Sequence, residues 1–435
     1  TLPAHTRSPN PIVHPSEDSI RYIFRKGDTL YALAGTYMAH RDDWRTVQRI
    51  NRVIDPHAIP PGRSLVIPTR LLKAEPLRAR IIAFKGTCQL SPPEGGTPIP
   101  LANGMQVIPG SRLEMAASSF TTLELSNGSR ITLPSNTRIH ITEMRKFLLT
   151  GSVDFNFLVE QGRIETAVTP LKGAHDRYRI RTPIATAAVR GTEFRVGYQG
   201  EKAPSLTEVL DGTVGVGAGT NAVAAIPVEK GFGAGISADG AIRTEALLPP
   251  PERIDPGKVQ AEPVVSLAFS PIEGARAYHV QLARDAGFVE LEREVTSASP
   301  EARFEDIPNG RWFVRATAIA ASGLEGMPQT SAMRRVLAGI AASAEGNADG
   351  GWRFRWSGSG EGRRIFHFTL RPDVTGAAAL VDAPALNTDT LTLSDLPPGA
   401  YVWRVGVRQY ADGEEIINWL PEQKLSVAPP SLPKN

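Results

Sequence analysis

The sequence predicts a mainly β protein of several domains, with helices confined to one small unit near the N-terminus. The chain has 435 residues, which is enough for two to four domains. Its 40 glycines and 36 prolines exceed the usual share and indicate turn-rich β structure. Short alternating strands separated by turn dipeptides recur along most of the chain, whereas helical spacing occurs only within residues 20–70.

Composition argues against several classes of protein. The hydrophobic share of 41% and the charged share of 21% are typical of globular domains. A net charge of +3 is too small to indicate a nucleic-acid-binding surface. The one cysteine, Cys88, allows neither an intrachain disulfide nor a cysteine-rich metal site, and we expect it to be a small buried residue. No apolar run is long enough to span a membrane, and the histidines lack ligand spacing, so we expect no metal and no other cofactor.

The two ends of the chain lack periodicity. Residues 1–19 are rich in proline and serine and predict a mobile arm, and residues 429–435 form a tail. The chain begins with Thr1 instead of methionine, and we favour cleavage of a signal peptide over removal of a tag. The expectation is an exported protein of the periplasm or cell envelope, and exposure at the cell surface remains an alternative.

Residues 20–70 predict a compact β-α-α-β unit. "IRYIFR" alternates as a strand, and "SLVIP" closes the unit as a second strand ended by Pro68. Between them, "TLYALAGTYM" and "DDWRTVQRINR" carry apolar residues at helical spacing. The "KGDT" turn places Asp28 or Thr29 at the start of the first helix, where either can cap it.

This unit resembles a LysM domain, from "YIFRKGDTLYALAGTYM" through "INRVIDPHAIPPGRSLVIP", with a slightly longer segment between the helices. The resemblance implies binding to N-acetylglucosamine chains of peptidoglycan or chitin. We expect free backbone N–H groups at the first helix to meet sugar acetamido oxygens, and Ile54 and Pro56 to provide apolar contacts. The alternative is that Asp28, Thr29 and Asn51 only cap helices. The candidate glycan-binding residues are Gly27, Asp28, Thr29, Leu30, Asn51, Ile54, Pro56 and Ile59.

Residues 77–246 predict a long β domain without a convincing helix. Strands such as "TTLELS", "RITL" and "DFNFLVE" are separated by the turn dipeptides Asn127-Gly128, Gln161-Gly162 and Asp211-Gly212. The similar segments "LSNGSRITL", "VEQGRIETA" and "VLDGTVGVG" suggest repeated β units, but their spacing is irregular.

The stretch "TPIATAAVRGTEFRV" contains a predicted corner at Gly191. Val189 and Phe194 are five residues apart, so in a regular strand they would point to opposite faces. A bulge or corner at Gly191 returns both side chains to one core. Arg190 and Glu193 flank this corner and are expected to form a structural ion pair, because no histidine, second carboxylate or nucleophile accompanies them.

The same stretch closely resembles the signature strand of FecR-type domains, and the resemblance extends more loosely over about residues 80–245. It implies a twisted, solenoid-like β domain that mediates protein contacts and has no enzymatic activity. The signature residues are taken as structural: Arg190, Gly191, Thr192, Glu193 and Phe194. The sigma-factor-regulator role of that family is disfavoured, since it would need a membrane span and a cytoplasmic helical segment. The low-charge segment 212–228 is expected to offer an open edge for strand addition by a partner or a second copy.

The C-terminal part predicts two copies of one β-sandwich module after a proline-rich linker at 247–262. The modules cover residues 263–338 and 339–428, and "DIPNGRWFVRA" matches "DLPPGAYVWRV". Both resemble fibronectin type III domains. "AYHVQLAR" is expected to pair with "GRWFVRATAIA", and "RIFHFTLR" with "GAYVWRVGVRQ". The core tryptophan of the second copy is either Trp352 or Trp356.

These observations predict a non-enzymatic protein that is tethered to peptidoglycan and scaffolds a protein assembly through its β domains. The alternative is a secreted or surface fibre or adhesin subunit that assembles by β-strand contacts. A third class, a glycan-processing enzyme, needs paired carboxylates in a cleft. Glu414 and Glu415 are adjacent and would point to opposite faces of a strand, and "GVGAGTNA" is not followed by the helix of a dinucleotide-binding loop.

Overall fold

The computed structural model describes residues 18–219, 225–346, 351–411 and 413–428. Within these ranges the protein is mainly β with two α-helices near its N-terminus, which confirms the predicted fold class. The predicted arm at 1–19 lies almost entirely outside the described residues, and the tail at 429–435 lies outside them completely.

The N-terminal unit has the predicted β-α-α-β order. Its elements are β1 Ser19–Ile23, α1 Leu30–Tyr37, α2 Asp43–Ile50 and β2 Ser64–Pro68. The two strands pair antiparallel, with Ile20 opposite Ile67. Leu33 and Val47 bring the helices onto the inner face of this hairpin, and Phe147 of the following unit completes the core. The N-terminal unit is therefore packed against its neighbour through a shared buried phenylalanine.

The central unit contains eighteen strands among the described residues. They are β3 Ala74–Pro76, β4 Ala79–Lys85, β5 Cys88–Ser91, β6 Ile99–Pro100, β7 Gln106–Val107, β8 Arg112–Met115, β9 Phe120–Leu125, β10 Arg130–Leu133, β11 Arg138–Phe147, β12 Val153–Ala167, β13 Arg177–Arg181, β14 Ala185–Val189, β15 Glu193–Tyr198, β16 Ser205–Asp211, β17 Thr213–Ala218, β18 Ile226–Glu229, β19 Phe232–Ile236 and β20 Ile242–Ala246.

These strands form two sheets that pack face to face. The first sheet has the order β6-β5-β8-β11-β12-β13-β14-β17-β18, with β3 beside the end of β11. The second has the order β7-β4-β9-β10-β12-β15-β16-β19-β20. The long strand β12 belongs to both, because its first part pairs with β11 and its last part, from Gly162, pairs with β15. Apolar side chains from both sheets fill the space between them.

The predicted corner lies between β14 in the first sheet and β15 in the second. Gly191 has a φ of +116°, and a Cβ atom placed on it would lie 2.7 Å from the Cα atom of Pro170. The corner turns Val189 and Phe194 into the same core, as the face pattern predicts. Glycine is required here both by the backbone conformation and by the close approach of another chain segment.

One expectation for the central unit is wrong, and a second holds for only part of its segment. Arg190 donates to the carbonyl of Gly173 at 2.8 Å, and no ion pair joins it to Glu193 in the part of the chain that the structure describes. Strand β17, the start of the segment 212–228, is paired with β14 on one side and β18 on the other. β17 is therefore covered by its own chain on both sides, whereas β18, which holds the last residues of the segment, has a strand partner on one side only among the described residues. Residues 220–224 of the segment lie outside the described residues. The outermost strands at this end are β18 and β20.

The C-terminal part forms two sandwiches. The first contains β21 Val265–Ala268, β22 Ala275–Ala283, β23 Leu291–Ser297, β24 Glu301–Phe304, β25 Gly310–Ala320 and β26 Gln329–Arg335. The second contains β27 Ala338–Gly346, β28 Trp352–Gly360, β29 Arg363–Pro372, β30 Val381–Leu386, β31 Thr390–Leu393, β32 Gly399–Ala411, β33 Glu414–Trp419 and β34 Gln423–Val427.

Strand pairing and burial in the sandwiches follow the sequence pattern. β22 pairs with β25 and β29 pairs with β32, as predicted. Trp312 and Trp403 are fully buried in the two cores. Trp356 is buried and Trp352 only partly so, which makes Trp356 the core tryptophan of the second copy. The segment before the first sandwich is hydrogen-bonded to its first strand, because the backbone N–H of Ile254 donates to the carbonyl of Ala268 at 2.8 Å.

Candidate functional site

The loop before α1 is organised by two different acceptor side chains. Thr29 is the helix cap, because its Oγ1 atom accepts from the backbone N–H of Ala32 at 3.0 Å. Asp28 closes the preceding turn: its Oδ2 atom accepts from the Tyr22 hydroxyl and from the Arg25 N–H, both at 2.7 Å. Burial, together with the hydrogen bond and charge of Asp28, raises the pKa of Tyr22 to about 12. The two capping candidates thus have separate roles.

The side-chain amide of Asn51 is hydrogen-bonded to backbone groups of the N-terminal unit. Its Nδ2 atom donates to the carbonyls of Val47 and Val66 at 2.8 Å, and its Oδ1 atom accepts from the Val66 N–H at 2.6 Å. These bonds hold the end of α2 against β2. The geometry gives Asn51 a positioning role, since the amide that could meet a sugar is already occupied by the backbone.

The candidate glycan-binding residues lie mainly on two loops, residues 24–29 and residues 51–63, and hydrogen bonds join these loops at their bases. The Gly62 N–H donates to the Phe24 carbonyl at 2.7 Å, and the Phe24 N–H donates to the Arg63 carbonyl at 2.9 Å. The strand β1, which leads into one loop, and the strand β2, which leaves the other, are direct neighbours in the sheet. Both candidate loops therefore lie at one end of the N-terminal unit.

The candidate glycan-binding residues differ sharply in exposure. Leu30 is only 1% exposed and Ile59 only 8%, so these two side chains belong to the core beneath the surface. Ile54 is 99% exposed, and Gly27 and Thr29 are also exposed, while Pro56 is half-buried. Ile54 is therefore an apolar side chain that is open to contact with a ligand.

Tyr31 is an exposed aromatic residue of this unit that lies outside the predicted set of site residues. This tyrosine follows Leu30 on the first turn of α1 and is 59% exposed. The helical spacing of Leu30, Leu33 and Ala34 already places the neighbouring position on the outer face, which is the signal that could have identified it. Tyr31 adds an aromatic surface to the end of α1 that follows the candidate loop.

The FecR-type signature residues form a structural corner. Phe194 is fully buried in the core, and Thr192 is buried with its carbonyl accepting from the Val168 N–H at 2.9 Å. Arg190 and Glu193 are exposed on either side. The contacts of the signature are those of a turn between two sheets, and they provide no acid–base pair.

A buried charge network, which the sequence pattern did not reveal, joins the central unit to the first sandwich. The carboxylate of Glu325, after β25, accepts from Arg195 Nη1 at 2.5 Å and from Arg163 Nη1 at 2.6 Å. Its other oxygen lies 2.5 Å from His279 Nδ1, and its backbone N–H donates to Glu208 at 3.1 Å. Arg195, Glu208 and Glu325 are all nearly inaccessible to solvent.

The pKa shifts in this network follow from burial and from opposite charges. Burial lowers the pKa of His279, but the charges of Glu325 and Glu294 and their hydrogen bonds outweigh it and raise the pKa to about 9. Burial would raise the pKa of Glu325, but Arg163, His279 and Arg195 hold it well below the usual range. Burial raises the pKa of Glu208 despite the two arginines beside it. The protonation state of each residue in this network therefore depends on the charges of the others.

Further bonds extend this interface along the sandwich. Arg315 binds Glu165 with both terminal nitrogens, at 2.5 and 2.8 Å. The Ser135 N–H donates to Glu294 at 3.2 Å. The two β units are therefore held face to face by paired charges at several points.

Other site types receive no support within the described ranges. No group of three or more His, Cys, Asp or Glu side chains is arranged to hold a metal ion among the residues that the structure describes. In the same ranges, no helix has the length and apolar character needed to cross a membrane.

Comparison with known proteins confirms both N-terminal resemblances. The model of the LysM domain family matches residues 22–68, and the model named FecR protein matches residues 111–215. The first match suggests peptidoglycan binding, and the second suggests an envelope signalling or sensor domain. Domains of these types are typical of extracellular or envelope proteins. No curated protein sequence matches the chain.

Solved structures with similar regions share little sequence with the chain. A candidate anti-sigma factor from Parabacteroides distasonis ATCC 8503 is 18% identical, with a TM-score of 0.26, over 31% of this chain. The chain spans 59% of the length of that structure. A segment of two fibronectin type III domains from chicken tenascin is 14% identical, with a TM-score of 0.19, over 40% of this chain and 98% of its own. The FN1–FN3 domains of chicken CNTN1 are 12% identical, with a TM-score of 0.20, over 67% of this chain and 97% of theirs.

Proposed function

We propose that this protein is a non-enzymatic component of a bacterial cell envelope that attaches to peptidoglycan through residues 20–70 and presents its β units to a protein partner. The observation that carries the proposal is the exposed surface at one end of the LysM-type unit. There Ile54 is 99% exposed beside backbone that is held in place by Thr29 and Asn51.

The chemistry of this surface suits an N-acetylated sugar chain. Free N–H groups at the start of α1 can donate to acetamido oxygens, because the first turn of a helix leaves such donors without intrahelical partners. Ile54 and Pro56 can cover the acetamido methyl group, and Tyr31 can cover the apolar face of a sugar ring. Gly27 permits the turn that brings the backbone close to the ligand.

The rest of the chain supports a presenting role more than a fibre-forming one. The outermost strand β18 contains Pro227, which lacks an N–H donor, and ends at Glu229. Both features discourage pairing with another chain. Assembly by strand addition at this edge is therefore the weaker alternative, and a partner is expected to bind side chains on a sheet face.

The test is retention of the full chain on purified peptidoglycan. Ile54→Ser should reduce retention about tenfold, because an exposed apolar contact to the ligand is lost while the fold is unaffected. The matched control is Ile417→Ser, which changes an isoleucine that is 53% exposed in the second sandwich. Equal retention of both variants and the wild type, with no competition by soluble N-acetylglucosamine oligomers, would refute glycan attachment through this surface.

A further inference from the structure

An arginine-rich groove lies on the outer face of the first sheet of the central unit. Along β13, Tyr178 and Ile180 point into the core between the sheets. The alternate residues Arg177, Arg179 and Arg181 therefore lie on the outer face. Strand pairing places them directly beside β12 on one side and β14 on the other.

The neighbouring strands leave room above this row. Ala188 of β14 lies opposite Arg179, and Gly215 of β17 lies opposite Ala188. These small residues form a shallow floor beside the arginines. The resulting cavity has a volume of about 420 Å³. Its lining consists of Asp176, Arg177, Tyr178, Arg179, Ala188, Val189, Arg190 and Thr213.

Arg177, Arg181 and Arg190 have no carboxylate within ion-pair distance among the described residues. Arg179 pairs with Asp154 at 3.1 Å, with Asp18 at 3.3 Å and with Glu143 at 3.7 Å. Arg177 donates to the Ser19 carbonyl, its Nη1 atom is buried without a partner, and no carboxylate lies within ion-pair distance among the described residues. Arg181 lies on the same face of β13 but beyond the residues that line the cavity. Its side chain makes no hydrogen bond or ion pair with any described residue, and its Nε atom is buried.

The remaining two charged residues of the lining do not change this balance. The guanidinium group of Arg190 donates to the Gly173 carbonyl and forms no ion pair within the described part of the chain. The carboxylate of Asp176 accepts from the backbone N–H groups of Val153 and Gly173, at 3.0 and 2.7 Å. Both oxygens of Asp176 therefore accept from backbone N–H groups. The guanidinium groups of the groove remain available to an external anion.

We propose that this groove binds an acidic peptide segment of a partner protein. Guanidinium groups that have no counter-charge in the protein bind carboxylates in a planar, two-pronged geometry. Arginines at every second position of a strand lie about 7 Å apart, which matches the spacing of alternate side chains on an extended peptide. The floor of Ala188 and Gly215 admits the backbone of such a peptide.

The groove is separate from the proposed glycan surface. It adjoins the start of β1, where Asp18 and Ser19 contact Arg179 and Arg177. The candidate glycan loop follows the other end of that strand, about 15 Å further along at the usual rise per residue. This inference rests on the proposed function in one respect, the position of the glycan surface. It adds to that function by stating the chemistry of the protein partner.

The experiment measures binding of fluorescein-labelled hexaglutamate and hexaglutamine to the full chain by fluorescence anisotropy. The wild type should bind hexaglutamate and prefer it to hexaglutamine at least tenfold. The double variant Arg177→Gln, Arg181→Gln should bind hexaglutamate at least tenfold more weakly. The control Arg353→Gln, Arg363→Gln removes the same charge from exposed arginines of the second sandwich and should stay within twofold of wild type.

Two further measurements keep the outcome clear. Arg181→Gln alone removes no described internal bond, so it should weaken binding several-fold with an unchanged circular dichroism spectrum. Retention of the double variant on purified peptidoglycan should equal that of wild type, which separates this inference from the proposed function. Equal loss in the groove and control variants, equal binding of both peptides, or binding of soluble peptidoglycan stem peptide in place of hexaglutamate would overturn the proposal.

Discussion

Arg195 of β15 and Glu325 of the first sandwich form a buried ion pair, with Nη1 and Oε2 separated by 2.5 Å. The two residues are 130 positions apart in the sequence. Arg195 also donates to the backbone carbonyl of Gly326 at 2.7 Å. Both side chains are closed to solvent, so this pair fixes the central unit and the first sandwich in one relative orientation.

Glu325→Gln should destabilise the protein by about 3–5 kcal/mol, because it leaves Arg163, Arg195 and His279 near one another without their shared counter-charge. The measurement is urea unfolding of the full chain, followed by tryptophan fluorescence. Glu301→Gln, at an exposed position of the same sandwich, should cost less than about 0.5 kcal/mol. Equal unfolding of both variants would show that the network contributes nothing to stability.

Stability should fall as the pH rises through about 9. The pKa of His279 is raised to about 9 in the folded protein, against about 6.5 in an unfolded chain. Its protonated form is therefore favoured by folding, and this stabilisation is fully present below about pH 6.5 and lost as the pH passes the folded value. Thermal unfolding between pH 6 and 10 should show the decline, and His279→Gln should reduce it. An identical pH profile in the variant would contradict this assignment.

Gly191→Val should destabilise the central unit by about 1–3 kcal/mol through backbone strain and the clash with Pro170. Gly200→Ala is the matched control, because Gly200 also has a positive φ, of +104°, but has open space around its Cβ position. The melting temperatures of the two variants separate the clash from the backbone preference. A Gly191 variant that melts no lower than the control would show that the corner tolerates a side chain.

Asn51→Ala should destabilise the N-terminal unit by about 2–3 kcal/mol, since three partly buried hydrogen bonds are lost and the Val66 backbone groups lose their side-chain partner. Hydrogen exchange at Val66 and along β2 should accelerate, while exchange in the sandwiches should not change. Asn103→Ala, in a loop of the central unit, is the control. If exchange in β2 stays as slow as in the wild type, the positioning role of Asn51 is refuted.

Local patterns predicted the parts of the fold that depend on neighbouring residues. The helices around Leu33 and Val47 follow from apolar spacing, and the corner at Gly191 follows from the change of face between Val189 and Phe194. These features need only a few consecutive positions, which is why one sequence is enough to predict them.

Contacts between distant segments were not predictable in the same way. The expected ion pair of Arg190 and Glu193 across the corner does not form, because Arg190 donates instead to the carbonyl of Gly173, which is 17 positions away. Within the segment 212–228, the open edge lies at β18 and not at β17, because β18 folds back to cover β17. The partners of Glu325 come from strands far away in sequence, and charge type alone does not identify which of 48 basic residues will meet it.

The strand β12 restricts how the two sheets of the central unit can move relative to each other. Because one continuous strand is shared, the two sheets cannot slide past each other or open like a book without tearing hydrogen bonds in the middle of β12. A force applied between the N-terminal unit and the sandwiches would have to pass through the central unit, where β12 ties the two sheets together by its hydrogen bonds to both.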